Sequence, residues 1–320
     1  MAKTIGVLTS GGDAPGMNAA VRAVVRAALS KGMKVYGIRR GYNGLINGDI
    51  FEMNALSVSG IISKGGTCLY TARCNEFRYE EGINKGRDTC RKLGIEGIVV
   101  IGGDGSFRGA ADLSAAGINC IGIPGTIDND IKCTEYTIGY DTALNTAIEM
   151  VDKLNDTTSS HDRCSVVEVM GRNAGYLALN VACATGADAV ITPELGYDLD
   201  NIINELCDAR QRGKNHFVVV VAEGIGNSEN IARAIQERTG IESRATVLGH
   251  VQRGGAPTCR DRVAATLMGC YAVDLLEQGI GNRVVGMKDN KIYDVDIQEA
   301  LAMTKSFEQN VFDAVKITAY

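Results

Sequence analysis

Short, continuously apolar runs recur along the chain, and each is followed by a turn and a more polar, helical pattern. The runs are IGVLTSGG, KVYGIRRG, GIVVIGGDG, CIGIPGT, SVVEVMGR, AVITPE and HFVVVVAEG. Strands buried on both faces of a parallel sheet have this continuous pattern, whereas half-exposed strands alternate apolar and polar residues. Because strands and helices also alternate, the sequence predicts an α/β fold with doubly wound, mainly parallel sheets.

The segment after the first glycine turn has the spacing of an amphipathic helix. Its apolar positions are Met17, Ala20, Val21, Val24, Val25, Ala28 and Leu29. Arg22 and Arg26 lie one helical turn apart on the opposite face, with no acid beside them. Like charges at this spacing destabilise a helix by up to about 0.5 kcal/mol, so a shared anion is one interpretation of the pair. A solvated basic face is the other.

Length and charge narrow the functional classes. The chain has 320 residues, which is long for one hydrophobic core and favours two closely joined lobes. Its net charge of -5 is spread without long runs of one sign, which disfavours a nucleic acid or a membrane surface as the main partner. The start MAKTIGVLTSGG lacks the apolar region of a signal peptide, and the strongest apolar run, 217–222, is too short to span a bilayer. We therefore expect a cytoplasmic protein that binds small molecules.

Cysteine and glycine usage adds two expectations. The 10 cysteines form no C-x-x-C pair, so the sequence predicts neither a zinc site nor a disulfide framework, and the thiols are expected to fill core space. The chain has 39 glycines and only 4 prolines, which indicates many tight turns where the backbone closely approaches another group. Phosphate is a candidate for that group.

Two glycine turns are candidate phosphate sites. In SGGDAPG, residues 10–16, the amides of Gly11 and Gly12 precede a helix and suit a phosphate, although the turn matches neither a P-loop nor G-x-G-x-x-G. In GGDGSFRG, residues 102–109, Gly103 and Gly105 flank Asp104, which could hold a hydrated Mg²⁺ that bridges phosphates. Tight turns without a ligand remain the alternative for both segments.

The stretch PGTIDND places Thr126, Asp128 and Asp130 directly after an apolar run. A carboxylate at the end of a strand can accept a proton from a hydroxyl group, but Asp and Asn also cap ordinary loops. From these residues alone the two readings stay open.

Basic residues and one acid form the last candidate group. The guanidinium group of an arginine can bind two phosphate oxygens at once, and a carboxylate can accept hydrogen bonds from sugar hydroxyls. The residues are Arg163, Arg172, Glu223, Arg244, His250 and Arg253. Each of them alone is also typical of surface ion pairs.

Taken together, the segments TSGGDAPGMNAAVR, VVIGGDGS, PGTIDND, SSHDR, VEVMGRNAG and ATVLGHVQRGG resemble the bacterial ATP-dependent 6-phosphofructokinase family along essentially the whole chain. The resemblance implies transfer of the γ-phosphoryl group of ATP to O1 of fructose 6-phosphate, with Mg²⁺, in a cleft between two lobes. It implies a larger ATP- and Mg²⁺-binding lobe of residues 1–138 plus 251–301. The smaller lobe, 139–250 plus 302–320, would bind the sugar phosphate.

The resemblance also implies residue roles. Asp128 matches the general base, and Asp104 matches the acid associated with Mg²⁺. The catalytic cluster is Gly12, Arg73, Thr126, Asp128, Asp130 and Arg172. The ATP-binding residues are Gly12, Tyr42, Arg73, Cys74, Gly103, Asp104, Gly105, Ser106 and Gly109. The substrate-binding residues are Thr126, Ile127, Asp128, Arg163, Met170, Gly171, Arg172, Glu223, Arg244, His250, Val251, Gln252 and Arg253.

Oligomeric state and regulation follow from the same resemblance. Arg163 and Arg244 are expected to complete the sugar site of a neighbouring subunit, which implies a homotetramer. The implied site for an ADP or phosphoenolpyruvate effector comprises Arg22, Ala23, Val24, Val25, Arg26, Ser59, Gly186, Ala187, Asp188, Arg212, Lys214, Asn215 and His216. Ala55 and Asn155 stand where regulated members carry arginines, so the effector response is expected to be blunted or altered.

Two positions bear on the phosphoryl donor. Pyrophosphate-dependent relatives carry an acid in place of Gly105 and a lysine in place of Gly125, so both glycines favour ATP. Cys74 replaces a bulkier residue near the adenine, and Tyr42 and Phe107 are expected to compensate. A pyrophosphate-dependent enzyme and a non-catalytic sugar-phosphate sensor remain the alternatives.

Overall fold

The computed structural model describes residues 2–319. Its strands are β1 Thr4–Thr9, β2 Lys34–Ile38, β3 Ile50–Met53, β4 Gly97–Gly102, β5 Asn119–Pro124, β6 Cys164–Val169, β7 Ala189–Ile191, β8 Phe217–Ala222, β9 Ser243–Val247, β10 Arg283–Lys288 and β11 Lys291–Asp296. The α-helices are α1 Met17–Ser30, α2 Gly41–Asn47, α3 Glu80–Leu93, α4 Asp104–Ala115, α5 Tyr140–Ser160, α6 Tyr176–Thr185, α7 Leu199–Gln211, α8 Ser228–Thr239, α9 Cys259–Glu277, α10 Ile297–Ala302 and α11 Gln309–Thr318. Short 3-10 helices occupy Glu76–Arg78 and Gly249–Arg253.

The chain divides into two compact units. Unit 1 comprises Met1–Ile127, Ile131–Thr142 and Arg253–Lys305, and it contains a seven-stranded sheet in the order β11-β10-β5-β4-β1-β2-β3. Unit 2 comprises Asp128–Asp130, Ala143–Gln252 and Ser306–Tyr320, and it contains a four-stranded sheet in the order β7-β8-β6-β9. Which unit binds which ligand stays a prediction.

Every continuously apolar run forms a strand, so the predicted α/β fold with mainly parallel sheets is confirmed. Neighbours in unit 2 all pair in parallel, as do β2, β1, β4, β5 and β10 in unit 1. The β6 and β8 residues are almost all buried, because helices cover both faces.

Four strands were not predicted from the sequence. The strands β3 and β11 run antiparallel at the two edges of the larger sheet. The hairpin of β10 and β11 turns at Asp289 and Asn290, whose φ angles of 50° and 59° suit a two-residue turn that favours such residues. The edge strands β3, β9 and β11 each have at most one buried residue, whereas β10 lies inside the sheet and has only three, 284–286. The turn pair was the signal available in the sequence.

The predicted first helix is confirmed as α1, and its apolar face is buried. However, α1 begins only at Met17, after the left-handed Gly16 with φ 103°. The amides of Gly11 and Gly12 therefore lie outside the first turn of the helix. Any phosphate that they bind is held by the loop and not by the helix dipole.

Core packing accounts for only some of the cysteines. Cys90, Cys120, Cys133 and Cys164 are buried, whereas the others are half-buried or exposed. Burial raises the pKa of Cys90, Cys120 and Cys164 to about 12, so these thiols are poor nucleophiles. Within residues 2–319, no helix has the length and apolar character needed to cross a membrane.

Candidate active site

The two predicted phosphate turns lie against each other in unit 1. The amide of Ser10 donates to the carbonyl of Ile101 at 2.9 Å. A Cβ on Gly102 would lie 2.4 Å from the carbonyl oxygen of Ser10, and a Cβ on Gly11 would lie 3.6 Å from Oγ of Ser106. Since strands β1 and β4 are parallel neighbours, their carboxyl ends bring both turns to one edge of the sheet.

Arg253 extends over the first turn. A Cβ on Gly12 would lie 3.5 Å from Cζ of Arg253, so the guanidinium group lies within van der Waals contact of this turn. Arg253 is half-buried and belongs to unit 1. The structure thus places Arg253, which is predicted to bind the sugar phosphate, next to Gly12, which is predicted to bind ATP.

The second turn opens helix α4. Gly103 is the residue before the helix, and Asp104, which is half-buried, is its first residue. A helix N-terminus carries partial positive charge and favours anions. Gly105 is exposed, and a Cβ there would meet no atom within 4 Å. The turn is therefore open on the side of Gly105.

Two residues predicted to pack near the adenine, Tyr42 and Phe107, are buried. The side chain of Tyr42 is only 5% exposed, its ring stacks on Phe77 with centroids 4.2 Å apart, and its hydroxyl donates to the carbonyl of Ser106 at 2.6 Å. Tyr42 therefore supports the second turn from beneath. Phe107 is 1% exposed and packs against Gly122, so it cannot pack on a bound base.

Threonine hydroxyls tie a third loop to the first turn. The hydroxyl of Thr9 donates to the carbonyl of Tyr70 at 2.9 Å and lies 2.8 Å from the hydroxyl of Thr67. The hydroxyl of Thr71 donates to the carbonyl of Gly11 at 2.6 Å. These contacts fix the loop that continues to Arg73, which is exposed.

Cys74 is half-buried and packs against the core of unit 1. No sequence motif singled out these threonines, because threonine is common in loops.

The stretch PGTIDND is framed by a second segment of the chain. The amide of Thr126 donates to the carbonyl of Ile138 at 3.1 Å, and the amide of Ile138 donates to the carbonyl of Pro124 at 2.9 Å. The hydroxyl of Thr137 donates to the carbonyl of Thr126 at 2.7 Å. The main chain before Asp128 is therefore fixed on both sides.

Side chains within this stretch differ in exposure. Asp128 and Asp130 are half-buried, as is Thr126. Ile127 is 2% exposed, so its predicted contact with a substrate would be made by its main chain.

In unit 2, predicted sugar contacts gather at the carboxyl ends of β6 and β8. The amide of Arg172 donates to Oε1 of Glu223 at 2.5 Å, and Arg172 has a left-handed φ of 58°. The amide of Met170 donates to Oε1 of Gln252 at 3.2 Å, and Gln252 is fully buried.

Gly171 has a φ of 137°, and a Cβ there would lie 2.4 Å from the carbonyl oxygen of Ala174. His250 and Val251, in the 3-10 helix that Gln252 anchors, are exposed.

Arg163 and Arg244 lie at the other end of the same sheet. Arg163 precedes β6, and Arg244 pairs in register with the second residue of that strand, Ser165. Six residues of β6 span roughly 20 Å, so these arginines are about that far along the strand from Arg172. Both contact Glu242 at 2.9 Å. The hydrogen bond from Arg163 is the main cause of the lowered pKa of Glu242.

The predicted effector residues divide into exposed and buried ones. Ala23, Val24 and Val25 are at most 3% exposed and lie inside α1, so any contact of these residues with an effector stays a prediction and would not use their side chains. Ala187 is 1% exposed. The remaining residues are exposed or half-buried, apart from Asp188: Arg22, Arg26, Ser59, Gly186, Arg212, Lys214, Asn215 and His216.

Asp188 and Lys214 form an ion pair in unit 2. Burial raises the pKa of Asp188, and the hydrogen bond from Lys214 opposes that rise. Lys214 also donates to the carbonyl of Ala319 at 3.2 Å. In unit 1, Arg26 donates to the carbonyl of Ala55 at 3.1 Å. Both basic groups are thus already engaged by the chain itself.

Across residues 2–319, no group of three or more His, Cys, Asp or Glu side chains could hold a metal ion. Mg²⁺ commonly binds proteins through one or two carboxylates plus substrate phosphates and water. Asp104, at the N-terminus of α4, could supply one such carboxylate.

These features define a class: an α/β protein whose glycine turns gather at the carboxyl ends of parallel strands, with a close backbone contact that requires glycine at Gly102. A phosphofructokinase family model matches residues 4–276. The chain belongs to the phosphofructokinase family.

Curated and solved relatives agree with this assignment. An ATP-dependent 6-phosphofructokinase of Clostridium botulinum (strain Hall) is 56% identical over 315 residues, which cover 98% of this chain and 99% of that protein. The Pichia pastoris phosphofructokinase in the T-state has a TM-score of 0.90 and 38% identity, and the Saccharomyces cerevisiae phosphofructokinase has 0.89 and 36%. The matches cover 100% and 99% of this chain, which spans 37% and 48% of the two yeast chains.

Proposed function

We propose that this protein is an ATP-dependent 6-phosphofructokinase, which transfers the γ-phosphoryl group of ATP to O1 of fructose 6-phosphate in glycolysis. The observation that carries the proposal is the direct contact between the turns 10–12 and 102–106, with Arg253 over Gly12. Backbone this close, without side chains, suits a polyphosphate. The identity to the Clostridium botulinum enzyme supports ATP and fructose 6-phosphate as substrates.

Asp128 is proposed to act as the general base. It takes the proton from the 1-hydroxyl of the sugar as the oxygen attacks the γ-phosphorus, and the bond from phosphorus to the leaving ADP oxygen breaks. General-base catalysis typically raises the rate of a reaction by about 10²- to 10⁴-fold. Thr126 and Asp130 lie beside it in sequence, and the fixed main chain of Pro124–Thr126 supports this placement.

Stabilisation of charge on the phosphates is proposed as the larger contribution. Arg73 and Arg172 offer guanidinium groups, and Gly12 and the turn at Gly103 offer backbone amides. Asp104 would hold Mg²⁺, which neutralises charge on the transferring phosphates when it is bound. These roles rest on the family pattern and on the geometry of the two glycine turns.

The sugar phosphate is proposed to bind at the carboxyl ends of β6 and β8. Glu223 accepts from the amide of Arg172 and keeps an oxygen for sugar hydroxyls. Gln252 anchors the 3-10 helix that presents His250 and leads to Arg253. Such a site uses charged side chains, and it needs cations to bind the 6-phosphate.

A homotetramer is proposed in which Arg163 and Arg244 complete the sugar site of a neighbouring subunit. Their position supports this, because they lie at the amino end of β6 while Arg172 lies at its carboxyl end, roughly 20 Å away. Glu242 holds both guanidinium groups side by side. A cytoplasmic location is proposed from the same family membership.

The donor preference is proposed to depend mainly on Gly105. The space around it is open, so an acid there would stand where nucleotide phosphates approach. Gly125 differs, because a Cβ there would lie 3.1 Å from Cγ2 of Ile101 and 3.2 Å from Cε of Met17. Local packing alone therefore favours glycine at that position.

Regulation by ADP or phosphoenolpyruvate is proposed to be blunted. Ala55 and Asn155 contribute no cations, Arg26 is engaged by the carbonyl of Ala55, and Lys214 is paired with Asp188.

The test of the proposed function is turnover with ATP and with pyrophosphate at a fixed level of fructose 6-phosphate. The expected result is turnover with ATP and none with pyrophosphate. Turnover with pyrophosphate in its place would favour the pyrophosphate-dependent alternative. Tight sugar-phosphate binding with no turnover would favour the sensor.

A further inference from the structure

Asp261 is a buried acid to which the proposed mechanism gives no role. It lies in the first turn of α9 and is 0% exposed. Its Oδ1 accepts from the hydroxyl of Tyr136 and from the amide of Gly139 at 2.7 Å. Its Oδ2 accepts from the amide of Thr142 at 2.9 Å and from the hydroxyl of Thr142 at 2.5 Å. Both carboxylate oxygens thus face donors from one segment, 136–142.

The donors cannot readily change partners. The hydroxyl oxygen of Thr142 accepts from the amide of Thr258 at 3.0 Å, so its own hydrogen points to Asp261. Backbone amides can only donate. Burial raises the pKa of Asp261, while the hydrogen bonds from Thr142 and Tyr136 oppose the rise. The site therefore requires a side chain with two acceptor oxygens.

The segment 136–142 is the one that frames PGTIDND. Between Tyr136 and Gly139, both held by Asp261, lie Thr137 and Ile138, which make the hydrogen bonds to Pro124 and Thr126. The position of the main chain just before Asp128 is therefore set by the segment that Asp261 fixes.

The first glycine loop packs on the same segment. A Cβ on Gly16 would lie 2.6 Å from Cγ2 of Ile138 and 3.5 Å from Cβ of Asp261. A Cβ on Gly139 would lie 2.6 Å from Cβ of Ala14. Asp261 thus supports the loop 10–16 and the stretch 124–128 at once.

We infer that Asp261 is a positioning residue for phosphoryl transfer: through segment 136–142 it fixes the main chain from which Thr126 and Asp128 follow. The inference rests on the proposed function. A misplacement of about 1 Å at a reacting group can lower the rate roughly 100-fold. A displacement of segment 136–142 is therefore expected to lower kcat more than it weakens substrate binding.

Asp261→Asn tests the inference, because the amide keeps the size but places its NH₂ group against donors. We expect kcat to fall about 10- to 100-fold, with the KM values for ATP and fructose 6-phosphate changed less than about threefold. Asp274→Asn is the matched control, since Asp274 lies on the same helix in an exposed ion pair with Lys31 at 2.9 Å. Its kcat is expected to stay at the wild-type value.

Tyr136→Phe is a milder second variant, because it removes one donor and leaves the carboxylate with the others. Its kcat is expected to fall about two- to tenfold, again at unchanged KM. Either folded variant with a lower melting temperature but wild-type kcat would overturn the inference, since that is the signature of a purely structural acid. A wild-type protein without fructose 6-phosphate-dependent ADP formation would instead overturn the proposed function.

Discussion

The candidate binding regions of the two units present different chemical groups to a ligand. In unit 1, the turns at Gly12 and Gly103 present backbone groups, and the carbonyl oxygen of Ser10 leaves no room for a side chain at Gly102. In unit 2, the strand ends present charged side chains, and Arg172 stands in a left-handed conformation beside Glu223. The first design suits the uniform charge of a polyphosphate, whereas the second suits a sugar with several distinct groups.

The largest expected effect is at Asp128, the proposed general base. Asp128→Asn removes the proposed base but keeps the size, so kcat is expected to fall by about 10²- to 10⁴-fold with little change in the KM for fructose 6-phosphate. Steady-state coupled kinetics measures both constants. Asp112→Asn, at an exposed position of α4, serves as the control. Unchanged turnover in Asp128→Asn would remove this residue from the mechanism.

Substitutions of Gly105 test whether the turn 102–109 of unit 1 binds the phosphoryl donor. Gly105→Asp places a negative charge where the phosphates are proposed to lie, and the kcat/KM for ATP is expected to fall roughly 10- to 1000-fold through repulsion. Gly105→Ala adds only a Cβ in open space, so ATP kinetics should stay close to wild type. If Gly105→Asp raises the KM for fructose 6-phosphate instead, the division between the units is wrong.

Arg163 tests the acceptor side and the proposed neighbour contact. Arg163→Ala removes a charge-assisted contact of about 1.5 to 3 kcal/mol, so the KM for fructose 6-phosphate is expected to rise roughly 10- to 100-fold. Arg238→Ala, which breaks an exposed ion pair with Asp200, is the control within unit 2.

Mixed oligomers of Arg163→Ala and Asp128→Asn subunits sharpen this test. If Arg163 serves a neighbour, some sites regain both native residues, and the mixture turns over substrate better than either parent. Failure of the mixture to regain activity would place both residues in one subunit's site.

Ala55 and Asn155 give the smallest expected effect. The double variant Ala55→Arg, Asn155→Arg adds two cations, and the ADP concentration for half-maximal activation is expected to fall about tenfold, since each charge-assisted contact contributes about 1.5 to 3 kcal/mol before losses. Activity against ADP at low fructose 6-phosphate measures it. Strong ADP activation of the wild-type protein would contradict a blunted site.

Sequence periodicity predicted the buried strands because burial on both faces leaves continuous apolar runs, as in β8. It missed β9 and the hairpin of β10 and β11, where exposure dilutes the pattern. The glycine turns could be found because only glycine allows such close backbone contacts, as at Gly102.

Tertiary packing explains the remaining misses. Phe107 was expected near a base, yet it is core, since a local motif does not show which side of a helix faces the sheet. Glu242 and Asp261 left no motif, because Arg163 and Gly139, with which they pair, are distant in sequence. A lone acid in a helical segment resembles any surface acid until its neighbours are known.

Amide hydrogen exchange with separate ligands tests the division of labour most directly. A non-hydrolysable ATP analogue with Mg²⁺ is expected to protect peptides that cover 10–16 and 102–109, whereas fructose 6-phosphate alone is expected to protect peptides that cover 169–173 and 249–253. Protection of 169–173 by the ATP analogue, with no change at 102–109, would contradict the account.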